Sequence, residues 1–258
     1  MTESFRQRLA GGETLIGLAA CVLRTPEIVL VTRSAGFDWL LVDLEHTPIT
    51  LGEAASLVVA ARTAGFPALI RVGGPDHPDL ARALDVGAVG VVIPHVETPE
   101  EAARVVGLLR FAPGGHRSLP APLPQFGYRM PPAPAFMEQA EAETVVIPMI
   151  ESRAGLGAVE AIAATPGLDA LMVGTNDLAA DLGLPGQLDH PTVRQAFARI
   201  AAAARAHGLR FGVIGVPEPL LATLGFDLVA SLVVATNDIN LLVDGAVALA
   251  ARLQDLAP

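Results

Sequence analysis

The 258-residue chain has no lysine, and all 17 of its basic residues are arginine. Chemistry through a lysine imine is therefore excluded, and a carbonyl substrate would need another electrophile, for which a bound metal ion is the natural candidate. Cysteine is nearly absent: Cys21 stands alone and cannot form an intramolecular disulfide. Positive charge is scarce as well. A formal net charge of -10 and an isoelectric point near 5.0 exclude the basic patches on which nucleic acids and anionic membranes depend, so the expected partners are small molecules or copies of the chain itself. No uninterrupted apolar run is long enough to span a bilayer, because the stretch from Leu15 to Val31 is broken by Arg24, Thr25 and Pro26. The N-terminal MTESFRQRLAGGET is polar where a signal peptide needs an apolar core, and a cytoplasmic location is expected. Aromatic residues make up only 4% of the chain, yet mean hydropathy is +0.49, high for a soluble monomer. Either some of this apolar surface is covered by subunit contacts or the excess is an alanine-rich core.

Short runs rich in valine, isoleucine and leucine alternate with helical segments along the whole chain, which predicts repeated βα units and a parallel sheet. Eight such runs, at 15–20, 39–45, 68–72, 90–95, 145–151, 170–175, 210–215 and 228–234, are the number that closes a barrel. The expected fold is thus α/β, a single (β/α)8 barrel occupying residues 1–258 as one domain. Helix starts are well marked at Thr98-Pro99-Glu100-Glu101, where a capping threonine, a first-turn proline and a glutamate three residues on stand in order. Similar starts occur at Thr25-Pro26-Glu27 and His190-Pro191-Thr192. From Phe111 to Pro134 the rhythm breaks: seven prolines and Gly114-Gly115 predict a long loop after the fourth strand. It is expected over the barrel mouth, with His116, Arg117, Phe126, Tyr128 and Arg129 either touching substrate or forming a subunit-packing arm.

Four of the strands end in residues able to do chemistry, and the C-terminal strand tips are where such a barrel keeps its active site. VVIPMIES ends on Glu151 and ALMVGTND on Asp177; consecutive strands would make their carboxylates neighbours. With no cysteine and no paired-histidine pattern nearby, two such carboxylates suit Mg²⁺ or Mn²⁺, with a helix cap as the alternative for Asp177. WLLVDLEH brings Asp43, Glu45 and His46 together, and a histidine beside carboxylates is suited to proton transfer. Arg71 interrupts the otherwise apolar ALIRV and would pair with Asp43 and Glu45, stabilise a substrate oxyanion, or do both. The turn Gly174-Thr175-Asn176-Asp177-Leu178 opens a helix whose free N–H groups would hold a carboxylate. His77, His95, His190 and His207 show no constellation and are taken as structural or solvent-facing, and Met130 and Met149 as packing residues.

Read in order, FDWLLVDLEHTPI, ALIRV, LARALDVGAVGVVIPHVETPEEA, APGGHRS, VVIPMIESRAGL and MVGTNDLAADLG resemble the HpcH/HpaI family of metal-dependent 2-oxo acid aldolases, from about Leu15 to Leu253. The resemblance implies an eight-stranded barrel, a divalent ion (Mg²⁺ or Mn²⁺, with Co²⁺ as a further option) and reversible cleavage of a 4-hydroxy-2-oxo acid to pyruvate, or a close 2-oxo acid, and an aldehyde. It places the metal ligands on Glu151 and Asp177, the base on His46 and the charge-stabilising arginine on Arg71, with substrate contacts at Arg71, Thr175, Asn176 and Asp177. It places the carboxylates supporting the histidine on Asp43 and on Asp85, the latter reaching a neighbouring subunit's site. It also implies a homo-oligomer, commonly a hexamer, with exchanged C-terminal helices. Two positions depart from the family pattern: Met149 stands where several members have glutamine, and Thr175-Asn176 where GPADL is usual. Both bear on substrate choice. The rivals are a lyase acting on CoA thioesters, which would call for a basic nucleotide groove, and a non-catalytic barrel that binds a small acid.

Overall fold

The apolar runs become parallel strands: β1 (Leu15–Ala20), β2 (Trp39–Asp43), β3 (Ala68–Arg71), β4 (Gly90–Ile93), β5 (Val145–Ile150), β6 (Ala170–Gly174), β7 (Arg210–Ile214) and β8 (Leu232–Asn237). Each pairs with its sequence neighbours and β8 returns to β1, closing the barrel. The computed structural model describes residues 3–120 and 122–256. Around the strands run α1 (Phe5–Ala10), α2 (Glu27–Ser34), α3 (Leu51–Thr63), α4 (Leu80–Asp85), α5 (Pro99–Leu109), α6 (Ala133–Glu143), α7 (Arg153–Gly157), α8 (Val159–Ala163), α9 (Thr175–Asp181), α10 (Pro191–Ala206), α11 (Glu218–Leu224) and α12 (Asp238–Gln254). No helix among the described residues is long and apolar enough to cross a membrane.

Because side chains alternate along a strand, every second residue points into the barrel and the others pack under the helices. The inner set includes Leu15, Trp39, Leu41, Leu69, Val145, Ile147, Met149, Ala170 and Met172. The same alternation carried one step further aims Asp43, Arg71, Glu151 and Gly174 inward at the C-terminal end, so the barrel interior is oily below and charged at its mouth. The opposite end is plugged by α1, whose Phe5 packs on Trp39 with ring centroids 5.9 Å apart. The Trp39 indole donates to the Leu15 carbonyl at 3.1 Å. Gly17 lies against that indole ring, and any Cβ there would overlap it, which accounts for a glycine inside a buried strand.

The expected helix start at Thr98 forms a reciprocal cap: its hydroxyl accepts from the Glu101 N–H while the Glu101 carboxylate accepts from the Thr98 N–H, both at 3.2 Å. His190 caps α10 by accepting from the Thr192 N–H, whereas α2 starts at Glu27 without a side-chain cap. β4 stops at Ile93 because Pro94 has no N–H to continue the ladder. The expected strand at 228–234 starts later, since Phe226–Leu228 form a single 3-10 turn and Val229 takes a left-handed φ of 61°.

The proline-rich segment lies at the other end of the barrel from the expected one. It follows α5, which has already returned to the N-terminal rim, and leads through α6 into the start of β5. Among the described residues of its loop only the 3-10 turn Pro124–Phe126 is regular, in keeping with its composition. Phe111 and Phe126 pack edge-on against Phe136 of α6, both at 5.3 Å, and Arg117 stacks over Phe111 at 4.9 Å. His116 packs on Gly107 of α5, and Tyr128 is exposed, so within one chain the segment packs on α5 and α6 and does not meet the mouth.

Arg110, just after α5, is the hub of this rim. Its guanidinium donates to the carbonyls of Thr144 at 3.1 Å and Gly167 at 3.0 Å and pairs with Asp169 at 2.5 Å and Glu141 at 3.1 Å. Removing one partner of a buried ion pair leaves the others desolvated and uncompensated. Arg110→Ala should lower the unfolding free energy by about 3 kcal/mol or more. Urea denaturation followed by circular dichroism checks this, and a midpoint within experimental error of the parent would contradict it.

Candidate active site

The mouth is organised by Arg71. Opposite Asp43 in the β2–β3 register, it donates from Nε to Asp43 Oδ1 at 2.8 Å and from Nη2 to Asp43 Oδ2 at 2.7 Å. Its Nη1 stands 3.2 Å from Glu45 Oε2. Burial works against the guanidinium charge, but the Asp43 hydrogen bonds and the charges of Asp43, Glu45 and Glu151 outweigh it, and the Arg71 pKa is raised. The pairing expected from sequence is thus present as a bidentate fork with a further contact to Glu45.

Asp43 is fully engaged by this fork and by the Glu45 N–H, which donates to Oδ1 at 3.0 Å. It makes no ion pair with His46, contrary to the supporting role expected for it. The carboxylate nearest His46 is Glu45, whose Oε2 lies 3.6 Å from Nε2, and the His46 side chain is 59% exposed. The reason is the strand period: Asp43 ends β2 pointing at Arg71, while Glu45 and His46 lie in the loop beyond. Asp85 ends α4 at the N-terminal rim, where it accepts from Arg117 at 2.8 Å. Within one chain it cannot join the mouth.

Glu151 follows β5 directly and is buried. Burial raises its pKa; the His95 N–H and ring oppose that rise, and the negative charges of Glu45 and Asp177 add to it. Asp177 sits in the first turn of α9, exposed, close enough for its charge to be felt at Glu151. The tight donor set is a different one: Glu45, His95 and Glu151 offer ligand atoms within 4.8 Å of one another. His95, read from sequence as structural, bridges the two carboxylates, with Nε2 2.7 Å from Glu45 Oε1 and Nδ1 3.0 Å from Glu151 Oε1. Its backbone N–H also donates to Glu151 Oε1 at 2.8 Å. The available signal was positional, since His95 stands two residues beyond β4 just as Glu45 stands two beyond β2.

Arg71 also borders a cavity of about 700 Å³ lined by His46, Met149, Thr175, Asn176 and Asp177, with residues of β8, α11 and α12 forming the outer wall. The Thr175 hydroxyl is spent on the Ile214 carbonyl at 2.6 Å. Gly174 belongs to the same wall, and a methyl group on it would overlap the Glu151 carboxylate. Gly174→Ala should displace Glu151 and abolish divalent-ion binding while the far-ultraviolet circular dichroism stays unchanged; calorimetric titration with Mn²⁺ reads the loss. Cys21 lines the cavity too, but burial, with the charges of Asp43 and Asp238 adding, pushes its thiol up to about 12. At pH 8 only roughly one thiol in ten thousand is then thiolate. Alkylation by iodoacetamide at that pH should be slow in the folded protein and fast once it is unfolded, and equal rates would refute this assignment.

Comparison with known proteins matches residues 21–220 to the family model described as HpcH/HpaI aldolase/citrate lyase. A 5-keto-4-deoxy-D-glucarate aldolase of Salmonella paratyphi A is 37% identical over 218 residues, 84% of this chain and 83% of the relative. The 4-hydroxy-4-methyl-2-oxoglutarate aldolase cghB of Chaetomium globosum is 33% identical over 214 residues, 81% of this chain and 78% of its own. Among solved structures, the HpcH/HpaI aldolase from Desulfitobacterium hafniense DCB-2 superimposes with a TM-score of 0.91 at 26% identity, covering 100% of this chain and 98% of that one. A closed barrel with its acids, arginine and histidines at the C-terminal mouth, together with these matches, makes the chain a member of the HpcH/HpaI aldolase/citrate lyase family.

Proposed function

We propose that this carbon–carbon lyase is a metal-dependent aldolase that reversibly cleaves a 4-hydroxy-2-oxo acid to pyruvate, or a close 2-oxo acid, and an aldehyde. The observation that carries the reading is the convergence of Asp43, Glu45 and Glu151 on the single guanidinium of Arg71 beside an open cavity. The donor set fits a divalent cation: Glu45, His95 and Glu151 lie within coordinating reach of one another, and the buried Glu45 Oε2 has no hydrogen-bond partner. Glu151 and Asp177 are the residues proposed to hold the ion, and such an oxygen-rich set suits Mg²⁺ or Mn²⁺, with Co²⁺ as a further candidate. When bound, the ion supplies the Lewis acidity that polarises a 2-oxo group, which an imine supplies in lysine-dependent enzymes.

The chain's own residues divide the remaining work. Arg71, held rigid by Asp43, keeps Nη1 toward Glu45 and the mouth, where its charge opposes the negative oxygen of the enolate left by cleavage. His46 reaches into the cavity with an exposed ring and Glu45 beside it, placed to take the proton of the substrate's C4 hydroxyl. The Thr175 N–H and the Asn176 side chain face the same space and are assigned to the substrate carboxylate. Met149, buried next to Gly174, offers that acid an apolar contact. On this reading Asp85 serves the site of a neighbouring subunit. The exposed apolar face of α12, with Leu242 at 60% and Val247 at 63% exposure, is proposed as the element exchanged in a cytoplasmic homo-oligomer.

A thioester lyase is disfavoured by the cavity's outer wall, where Asp177, Glu218 and Asp244 face the space a nucleotide would need. Loss of one oxyanion-stabilising group costs about 3 kcal/mol, so Arg71→Ala should cut turnover roughly a hundredfold with the barrel intact. The assay pairs pyruvate with a panel of aldehydes and Mn²⁺; a near-parental rate would remove Arg71 from the chemistry. EDTA should abolish adduct formation and Mn²⁺ or Mg²⁺ restore it, whereas activity indifferent to chelation, or seen only with acyl-CoA, would overturn the aldolase reading.

A further inference from the structure

His95 has been given no role above beyond lying within the donor set, yet its backbone is held in an unusual conformation. It follows Pro94 with a left-handed φ of 58°, a conformation that a non-glycine residue adopts only when its surroundings impose it. That backbone turn aims its N–H at Glu151 Oε1, 2.8 Å away, and seats the ring between two carboxylates on different strands' loops. Glu45 is 7% exposed and Glu151 is 3% exposed, so the imidazole joins two buried acids while its own side chain stays 53% exposed.

The two ring nitrogens are not equivalent in this setting. A metal-bound histidine characteristically donates its other N–H to a carboxylate, which fixes the tautomer and aims the lone pair. Glu45 Oε1, 2.7 Å from Nε2, belongs to such a carboxylate, and its other oxygen Oε2 stands 3.2 Å from Arg71 Nη1. On the other side, Nδ1 and Glu151 Oε1 stand 3.0 Å apart. Adjacent donors on an octahedral ion with bonds of about 2.1 Å are separated by about 3 Å, so one cation can accept both without either side chain moving far.

We propose that His95 is a protein ligand of the divalent ion, coordinating through Nδ1 beside Glu151 while Nε2–H donates to Glu45. The proposal rests on Glu151 being a metal ligand, as set out under Proposed function. Its consequence is selectivity: an imidazole nitrogen turns an all-oxygen site into one that favours Co²⁺ and Mn²⁺ over Mg²⁺.

The test uses the full chain freed of metal. Pulsed electron paramagnetic resonance of the Mn²⁺-loaded protein should show the ¹⁴N coupling of a directly bound imidazole in the parent and in His46→Ala, and lose it in His95→Phe and His95→Gln. By calorimetry, the His95 variants should lose about 10- to 100-fold in Co²⁺ affinity, and about threefold or less in Mg²⁺ affinity. Unchanged thermal midpoints show that the variants fold. Nitrogen coupling that survives in His95→Phe, or Co²⁺ and Mg²⁺ affinities that fall in parallel, would overturn the assignment of His95. Failure of the underlying reading looks different: undiminished Mn²⁺ binding in Glu151→Gln, or no ion bound by the parent at all.

Discussion

Three buried carboxyl groups facing one guanidinium is the constraint from which the rest of the mouth follows. Asp43, Glu45 and Glu151 are each nearly withdrawn from solvent, and Arg71 is the only arginine among them. An uncompensated buried charge costs several kcal/mol, so such a cluster persists only if each oxygen is answered. Asp43 is answered completely by the Arg71 fork and the Glu45 N–H. Glu151 is answered in part by His95, and Glu45 by His95 at Oε1 and by the charge of Arg71, 3.2 Å away, at Oε2, which has no hydrogen bond of its own. The charge imbalance is therefore concentrated on the Glu45–Glu151 side, and a cation is the simplest group that removes it.

The barrel makes this imbalance tolerable. Its interior is filled by aliphatic residues from alternate positions, with Trp39 and Phe5 sealing the N-terminal end. Such packing resists adjustment by even small displacements, so residues one period further along the same strands are held in place. Gly174 shows how tightly the space is allotted, since the missing Cβ is what leaves room for the Glu151 carboxylate. Strand ends carry Asp43 and Arg71, with Glu151 directly after β5, while Glu45 and both histidines sit in loops and Asp177 opens α9.

Much of this was legible in the sequence because alternation is a local property. Trp39, Leu41 and Asp43 share one face by period two, as do Met149 and Glu151, so both the barrel and the inward aim of the acids and of Arg71 could be read directly. The proline-rich segment was correctly read as loop from composition, but composition does not say which rim a loop occupies. Placing it required recognising that the α5 helix had already carried the chain back, and that the segment therefore precedes β5. His95 was missed for a different reason. A histidine after proline has no period to follow, and its inward aim comes from a left-handed φ that only the folded surroundings impose. Asp85 shows the converse limit, since the role proposed for it needs a second subunit and within one chain it pairs with Arg117.

The acidity of the mouth also orders the events there on the proposed reading. A 2-oxo acid is itself an anion, and in a cavity lined by Asp177, Glu218 and Asp244 it meets like charge wherever no cation intervenes. Arg71 offers limited relief, because two of its donors are already committed to Asp43. The free energy that draws substrate in must then come largely through the bound ion. Thermodynamic linkage makes this dependence mutual, since whatever the ion adds to substrate affinity the substrate adds to ion affinity. Charge alone, with no moving part in the fold, is enough to couple the two.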